Sequence, residues 1–198
     1  MKRLLACTVA LAALLCFRTA GAEGKEVSAI FAGGCFWCVE ADFEKLPGVT
    51  RAESGYTGGK VQNPTYEQVS AGGTGHAESV RVWYDPQQVS YEQLLDYFWH
   101  HVDPTVKDRQ FCDVGAQYRT AIFYENDAQR AAAEASKTAL EKEGRLPRIY
   151  TEIVPAGTFY VAEDYHQDYY KKHPIRYRYY RTSCGRDARV AEVWGTTH

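Results

Sequence analysis

No stretch of this 198-residue chain is apolar for long enough to cross a bilayer as a helix, which takes about 20 residues. The longest apolar run, Leu4 to Phe17, falls short, which argues against an N-terminal membrane anchor. An excess of positive charge is missing too: 23 Lys and Arg face 25 Asp and Glu, for a formal charge of −2. A nucleic-acid or membrane-surface binder needs a basic field, so both classes are disfavoured. There is no internal repeat and no low-complexity linker. The chain reads as one domain, long enough to bury a substantial core.

The short apolar run has another use. Lys2-Arg3 before it is a basic n-region, and Ala20-Gly21-Ala22 after it supplies small residues for cleavage. Residues 1–22 therefore read as a cleaved secretory signal and residues 23–198 as the mature domain. Cys16 suggests a lipid-attachment site, but Leu15 before it is too large for that signal. Cleavage removes three cations and no acid, taking the formal charge from −2 to −5. It also removes Cys7 and Cys16 and leaves Cys35, Cys38, Cys112 and Cys184. In an exported protein the default for four cysteines is two disulfides, so the compartment fits a structural as well as a redox role. Export, to the periplasm, is the expected localisation.

What the chain does have is Gly33-Gly34-Cys35-Phe36-Trp37-Cys38-Val39-Glu40. The apolar run Val27 to Ala32 before it reads as a strand, and a helical pattern runs on to about Leu46. The two glycines sit on the strand-to-helix turn, where backbone freedom is needed. Cys35 falls at the helix start, where unpaired N–H groups and the positive dipole end favour an anion. A thiolate is the nucleophilic form, so a reactive thiol is expected there. Cys38 lies about one turn on, on the same face. The competing reading is an inert buried pair or a structural disulfide.

Beyond Pro47-Gly48, Val49 to Ser54 reads as a strand entering a glycine loop, Gly55 to Gly59. Thr65 to Val69 is at most a short helix. After a second glycine loop, Ala77 to Tyr84 alternates as a strand. Ser90 with Gln93 makes a capping box for a helix to about Val102. Residues 103–117 form a loop of functional length. Arg119 to Tyr124 is a strand, and Asn126 caps a helix that Gly144 ends. Thr151 to Val154 is a strand, and Ala162 to Lys172 reads as helical. The remaining tail ends in a last helical stretch to Trp194. Strands and helices mix without strict alternation, which favours an α+β domain with a sheet covered by helices.

Further candidates for chemistry are Glu78 in Gly75-His76-Ala77-Glu78, Tyr56 in its glycine loop, and Asp113 with Gln117-Tyr118-Arg119. None is diagnostic singly: Glu78 alone is a surface acid, and Tyr56 and Tyr118 are two of 15 tyrosines. In order, however, the chain resembles type A peptide methionine sulfoxide reductases. The resemblance is carried by Gly-Cys-Phe-Trp at 34–37, Gly-Tyr-Thr-Gly-Gly at 55–59, Asn-Pro-Thr-Tyr at 63–66, Gly-His-Ala-Glu at 75–78 and Gln-Tyr-Arg at 117–119. Ser90 to Leu95 and Ala162 to Gln167 extend it, so that it runs from Val27 to Trp194.

That resemblance implies a single-domain two-layer sandwich, a mixed sheet covered by helices in a ferredoxin-like variant, with a long irregular C-terminal tail. It implies thiol-dependent reduction of methionine S-sulfoxide, free and in oxidised proteins. Cys35 matches the nucleophile and Glu78 the proton donor. Tyr56 and Tyr118 match phenols that hold the sulfoxide oxygen. Phe36, Trp37 and Asp113 match substrate-binding positions. The Cys35 sulfenic acid is then resolved by a second thiol, and a thioredoxin-like dithiol reduces the disulfide. Cys38, Cys112 and Cys184 are all candidates. The reading leans to Cys184 in a relay involving Cys38, with a static Cys112–Cys184 bridge as the alternative. No metal or organic cofactor is implied, and a monomer is expected, with no nucleic-acid partner and no membrane association after signal cleavage. Two other readings compete: an exported Cys-x-x-Cys thiol–disulfide oxidoreductase, and a metal protein using Cys35, Cys38, Cys112 and His166.

Overall fold

The apolar run after Glu26 becomes the central strand of a sheet. The computed structural model describes residues 27–195; the expected signal, 1–22, lies outside the described residues. In chain order the elements are β1 (Val27–Gly33), α1 (Phe36–Phe43), β2 (Val49–Thr57), α2 (Tyr66–Ser70), β3 (Ala77–Tyr84) and α3 (Tyr91–Trp99). There follow β4 (Arg109–Gln110), β5 (Asp113–Val114), a 3₁₀ turn (Ala116–Tyr118), β6 (Thr120–Tyr124), α4 (Asp127–Glu143), β7 (Glu152–Pro155) and β8 (Tyr160–Val161). Three helices close the chain: α5 (Tyr169–Lys172), α6 (Pro174–Ser183) and α7 (Arg186–Trp194).

Six strands form one mixed sheet in the order β7-β6-β1-β3-β2-β8, with β4 and β5 a separate hairpin. β6 and β7 run parallel, and the other pairs are antiparallel. Phe31 of β1 stacks on Phe43 of α1 at 4.9 Å and Phe98 of α3 at 5.2 Å. With Phe36, Leu94, Leu95 and Ile122 they are buried in one cluster between sheet and helices. Each such side chain contributes about 1.5–3 kcal/mol on leaving water. This is the expected α+β sandwich.

The capping signals are realised. Ser90 and Gln93 form the capping box of α3, Asn126 caps α4, and Gly144 ends α4 in a left-handed conformation. Three segments differ from the sequence reading. Gly55 to Thr57 continue β2 instead of forming a loop. Gly55 serves close approach, since a Cβ there would lie 2.4 Å from the Phe159 ring and 2.5 Å from the Tyr160 carbonyl. Ala162 to Lys172 is helical only at its end, as α5. Before that, Gln167 bonds the backbone of Ser54 on β2 and so follows the sheet. The tail is not irregular: besides the expected last helix, α7, it forms α6, and both are held by arginines paired to the buried carboxylates of Asp42 and Asp103, which apolar periodicity does not report.

Candidate active site

The turn after β1 delivers Cys35 to the N-cap of α1. Gly34 has φ +88°, and a Cβ on it would meet Gln110 Cβ at 2.6 Å, so both conformation and space demand glycine. Cys35 borders a cavity of about 70 Å³ with Phe36, Trp37, Tyr66, Glu78, Asp113, Tyr118 and Tyr180. That is room for a small head group with a methyl, a sulfur and an oxygen.

Glu78 enters from β3, 2% exposed, and its Oε2 accepts from the Phe36 N–H at 3.0 Å. The acceptor for the backbone N–H at the start of α1 is therefore the Glu78 carboxyl, not the Cys35 sulfur. Burial pushes Glu78 up to about 8 against that hydrogen bond, with the Asp113 charge adding to the rise. The carboxyl is thus protonated at neutral pH and able to donate. Cys35 differs from its expected state as a stabilised thiolate. Burial, then the Cys38 hydrogen bond and charge, then Glu78, push its thiol well above the ordinary range. Cys38 is lowered by the Cys35 hydrogen bond, with Arg186 and Arg181 nearby. The resting proton of the pair sits on Cys35.

Two aromatic side chains make the apolar wall. Trp37 stacks on Tyr169 at 3.7 Å and donates from Nε1 to His166 Nδ1 at 2.9 Å. Phe36 stacks on Tyr66 at 6.4 Å. The polar wall holds the phenols of Tyr66 and Tyr118; burial raises both, Tyr66 to about 12, so both stay O–H donors. Asp113, on β5, accepts from the Tyr180 hydroxyl at 2.6 Å. Burial raises its carboxyl, with Tyr180 and Arg186 opposing.

The structure brings together Cys35, Cys38, Phe36, Trp37, Glu78, Asp113 and Tyr118. Tyr56 stands apart. It is opposite Glu78 in the β2–β3 register, but its ring lies behind Phe36 and its hydroxyl donates to Glu163 Oε2 at 2.8 Å. Tyr66 takes the cavity position the sequence reading gave to Tyr56. The missed signal is the Thr65–Gln68 capping box, which fixes Tyr66 as the first residue of α2. Tyr180 was also missed, within a run of Tyr and Arg that has no apolar stripe. His76 has a structural job: its Nδ1 accepts from Gly59 N–H and its Nε2 pairs with the Val61 carbonyl at 2.7 Å, pinning the glycine loop.

Cys184 is disulfide-bonded to Cys112, while Cys35 and Cys38 are free and buried. Cys184 is therefore no free thiol, against the lean towards it as resolver. The competing metal set also fails to assemble. Cys112 is in that bridge, and His166 accepts from Trp37.

A family model described as peptide methionine sulfoxide reductase matches residues 27–198. "Peptide methionine sulfoxide reductase MsrA 2" of Caulobacter vibrioides is 50% identical over 98% of this chain and 100% of its own length. "Peptide methionine sulfoxide reductase MsrA" of Bacillus licheniformis is 51% identical over 89% of this chain and 98% of its own. Among solved structures, reduced Mxr1 from Saccharomyces cerevisiae aligns with a TM-score of 0.71 at 32% identity, covering 77% of this chain and 88% of that one. The same yeast protein has also been crystallised in complex with Trx2.

Proposed function

The chain belongs to the peptide methionine sulfoxide reductase family, and from that premise we propose how its own residues carry out methionine sulfoxide reduction, with the S epimer at sulfur as substrate. The carrying observation is that Glu78, protonated at neutral pH, shares one small cavity with the Cys35 thiol.

The substrate methyl lies against Phe36 and Trp37. Its oxygen points to Glu78, with Tyr66 and Tyr118 as further O–H donors. Cys35 sulfur attacks the sulfoxide sulfur while Glu78 delivers a proton to the oxygen. The substrate S–O bond and the new S–S bond then break as the protonated oxygen passes to the Cys35 sulfur, which releases methionine with its sulfur lone pair restored and leaves Cys35 as a sulfenic acid. The Cys38 thiol then attacks the Cys35 sulfur, water departs, and a Cys35–Cys38 disulfide forms. Cys38 is preferred to Cys184 because it is free and one turn away on α1. An external dithiol of the thioredoxin class reduces the pair. This family draws its reducing equivalents from thioredoxin and uses no prosthetic group, and the yeast relative's complex with Trx2 supports such a donor here. The Cys112–Cys184 bridge supports the reading of residues 1–22 as an export signal and of the periplasm as the working compartment. Free and protein-bound methionine sulfoxide are the proposed substrates of a monomer.

The test is turnover of separated S and R epimers of an N-acetylated methionine sulfoxide with dithiothreitol, using wild type, Cys35→Ser and Glu78→Gln. Turnover of S alone, abolished in Cys35→Ser and strongly reduced in Glu78→Gln, is expected. Full turnover by Glu78→Gln removes Glu78 as the donor. Disulfide exchange without sulfoxide turnover favours the Cys-x-x-Cys oxidoreductase reading. Mass-spectrometric mapping after one turnover without reductant identifies the resolving thiol.

A further inference from the structure

The cycle above needs an acid for the oxygen and also an outlet for the proton that Cys35 holds. Among the described residues, Glu78 and Asp113 are the two carboxyls that line the cavity. Glu78 is the acid. Asp113 does not reach Cys35 directly; Tyr180 stands between them. The Tyr180 hydroxyl donates to Asp113 Oδ2 at 2.6 Å, and the same oxygen is within hydrogen-bond reach of the Cys35 thiol. Its ring is fixed edge-on against Trp37 at 5.8 Å.

A phenol has one proton to give and lone pairs to receive another. At rest the Cys35 S–H is shared with Cys38; for the relay it turns to the neighbouring Tyr180 oxygen, whose own O–H points to the Asp113 carboxylate. As the sulfur attacks, the S–H proton can pass to Tyr180 while the Tyr180 proton passes to Asp113. Sulfur keeps its electron pair, the phenol ends neutral, and the carboxylate becomes a carboxylic acid. Burial and the neighbouring acidic groups hold the phenol far above its ordinary range, so the two protons move together and no phenolate forms.

We propose that Tyr180 is a further catalytic residue, a relay that carries the Cys35 proton to Asp113 as the sulfur attacks. The inference rests on the roles given above to Cys35 and Glu78. Two features of the fold keep the relay in line. The Cys112–Cys184 bridge joins the residue before Asp113 to the residue after α6, which carries Tyr180. Arg186 from α7 faces Asp113 and favours its ionised form. The other groups that face Cys35 are Glu78 from β3, Cys38 from its own helix, and the phenols of Tyr66 and Tyr118.

Alkylation of Cys35 by iodoacetamide tests the relay without calling on Glu78 as acid. The rate is followed on the full chain from about pH 5 to about pH 10, with the labelled cysteine identified by mass spectrometry. In the wild type, the form with the proton on Asp113 gives a shoulder of reactivity near neutral pH. Tyr180→Phe keeps the ring but should lose the shoulder, slowing alkylation about tenfold near pH 7 while matching wild type on the alkaline plateau. Asp113→Asn should lose the same shoulder, whereas removal of a negative charge acting at a distance would speed alkylation instead. Unchanged profiles, or slowing by one factor at every pH, overturn the relay. Single-turnover sulfoxide reduction by the wild type is measured alongside; its absence removes the sulfoxide reading whatever the alkylation profiles show.

Discussion

Glu78 sets the pH behaviour of the site because it is a buried carboxyl held up to about 8. Reduction should fall as pH rises through about 8, where the donor loses its proton. Glu78→Gln should lower single-turnover rates about 10²–10⁴-fold near neutrality, the range for a positioned acid. The same residue acts on stability with a definite sign. Its folded value lies above the ordinary 4.5, so the folded state binds more protons between the two. The Glu78 contribution to stability is therefore greatest below about 4.5 and declines as pH rises to about 8. Glu40, raised to about 7 by burial, adds a slope of the same sign. Urea midpoints across this pH range should flatten partly in Glu78→Gln and further when Glu40→Gln is added. At this scale the sequence motifs were good guides to Cys35, Glu78, Asp113 and Tyr118, all of which reach one cavity. They misdirected for tyrosine, because motif position does not tell which phenol is already taken: Glu163 claims Tyr56, and Tyr66 faces the cavity.

Elements whose signals are local were legible, and those held by distant charge were less so. Capping boxes and a terminal glycine place α3 and α4, and alternation places β3. The last helical stretch to Trp194 was legible and is α7, but α6 carries too little apolar periodicity to be read, and charged anchors of both helices lie elsewhere in the chain. Arg181 pairs with Asp42 of α1 at 2.8 Å, and Arg189 pairs with Asp103 at 2.7 Å. Arg186, 2% exposed, donates to the Gly33 carbonyl at 3.0 Å and the His101 carbonyl at 2.9 Å, with its guanidinium over Phe111 at 4.6 Å. One arginine thus ties α7 to the end of β1, next to the turn that presents Cys35. Arg186→Met should cost about 2–5 kcal/mol, because it strands buried carbonyl groups and removes one partner of Asp42. Asp42 keeps Arg181, which holds the cost below that of an orphaned charge. A lowered urea midpoint with an unchanged denaturant slope checks this; a midpoint like wild type would mean that water takes over both carbonyls.

Taken whole, the molecule separates two sulfur pairs by burial. Cys35 and Cys38 are enclosed by the sheet, α1 and the closing helices, whereas the bridge of Cys112 and Cys184 lies toward the surface. The chain also carries a single methionine, Met1, so its own domain offers an oxidant none of the side chains it repairs. Four cysteines in a chain read as exported suggested two disulfides; the fold forms one, by bringing the β4–β5 hairpin against the end of α6, and leaves Cys35 and Cys38 free. The bridge closes a loop with a sequence separation of 72. Chain entropy gives such a closure about 4 kcal/mol, so the Cys112→Ala/Cys184→Ala double variant should lose about that much stability in urea. Wild type in dithiothreitol should move towards it. The product of one turnover without reductant separates this structural role from a resolving one. If Cys38 resolves, the double variant still ends with a Cys35–Cys38 disulfide, found by mass spectrometry. If Cys184 resolves, the double variant stops at the Cys35 sulfenic acid, which a dimedone probe would trap, and the surface bridge would then be part of the catalytic electron path.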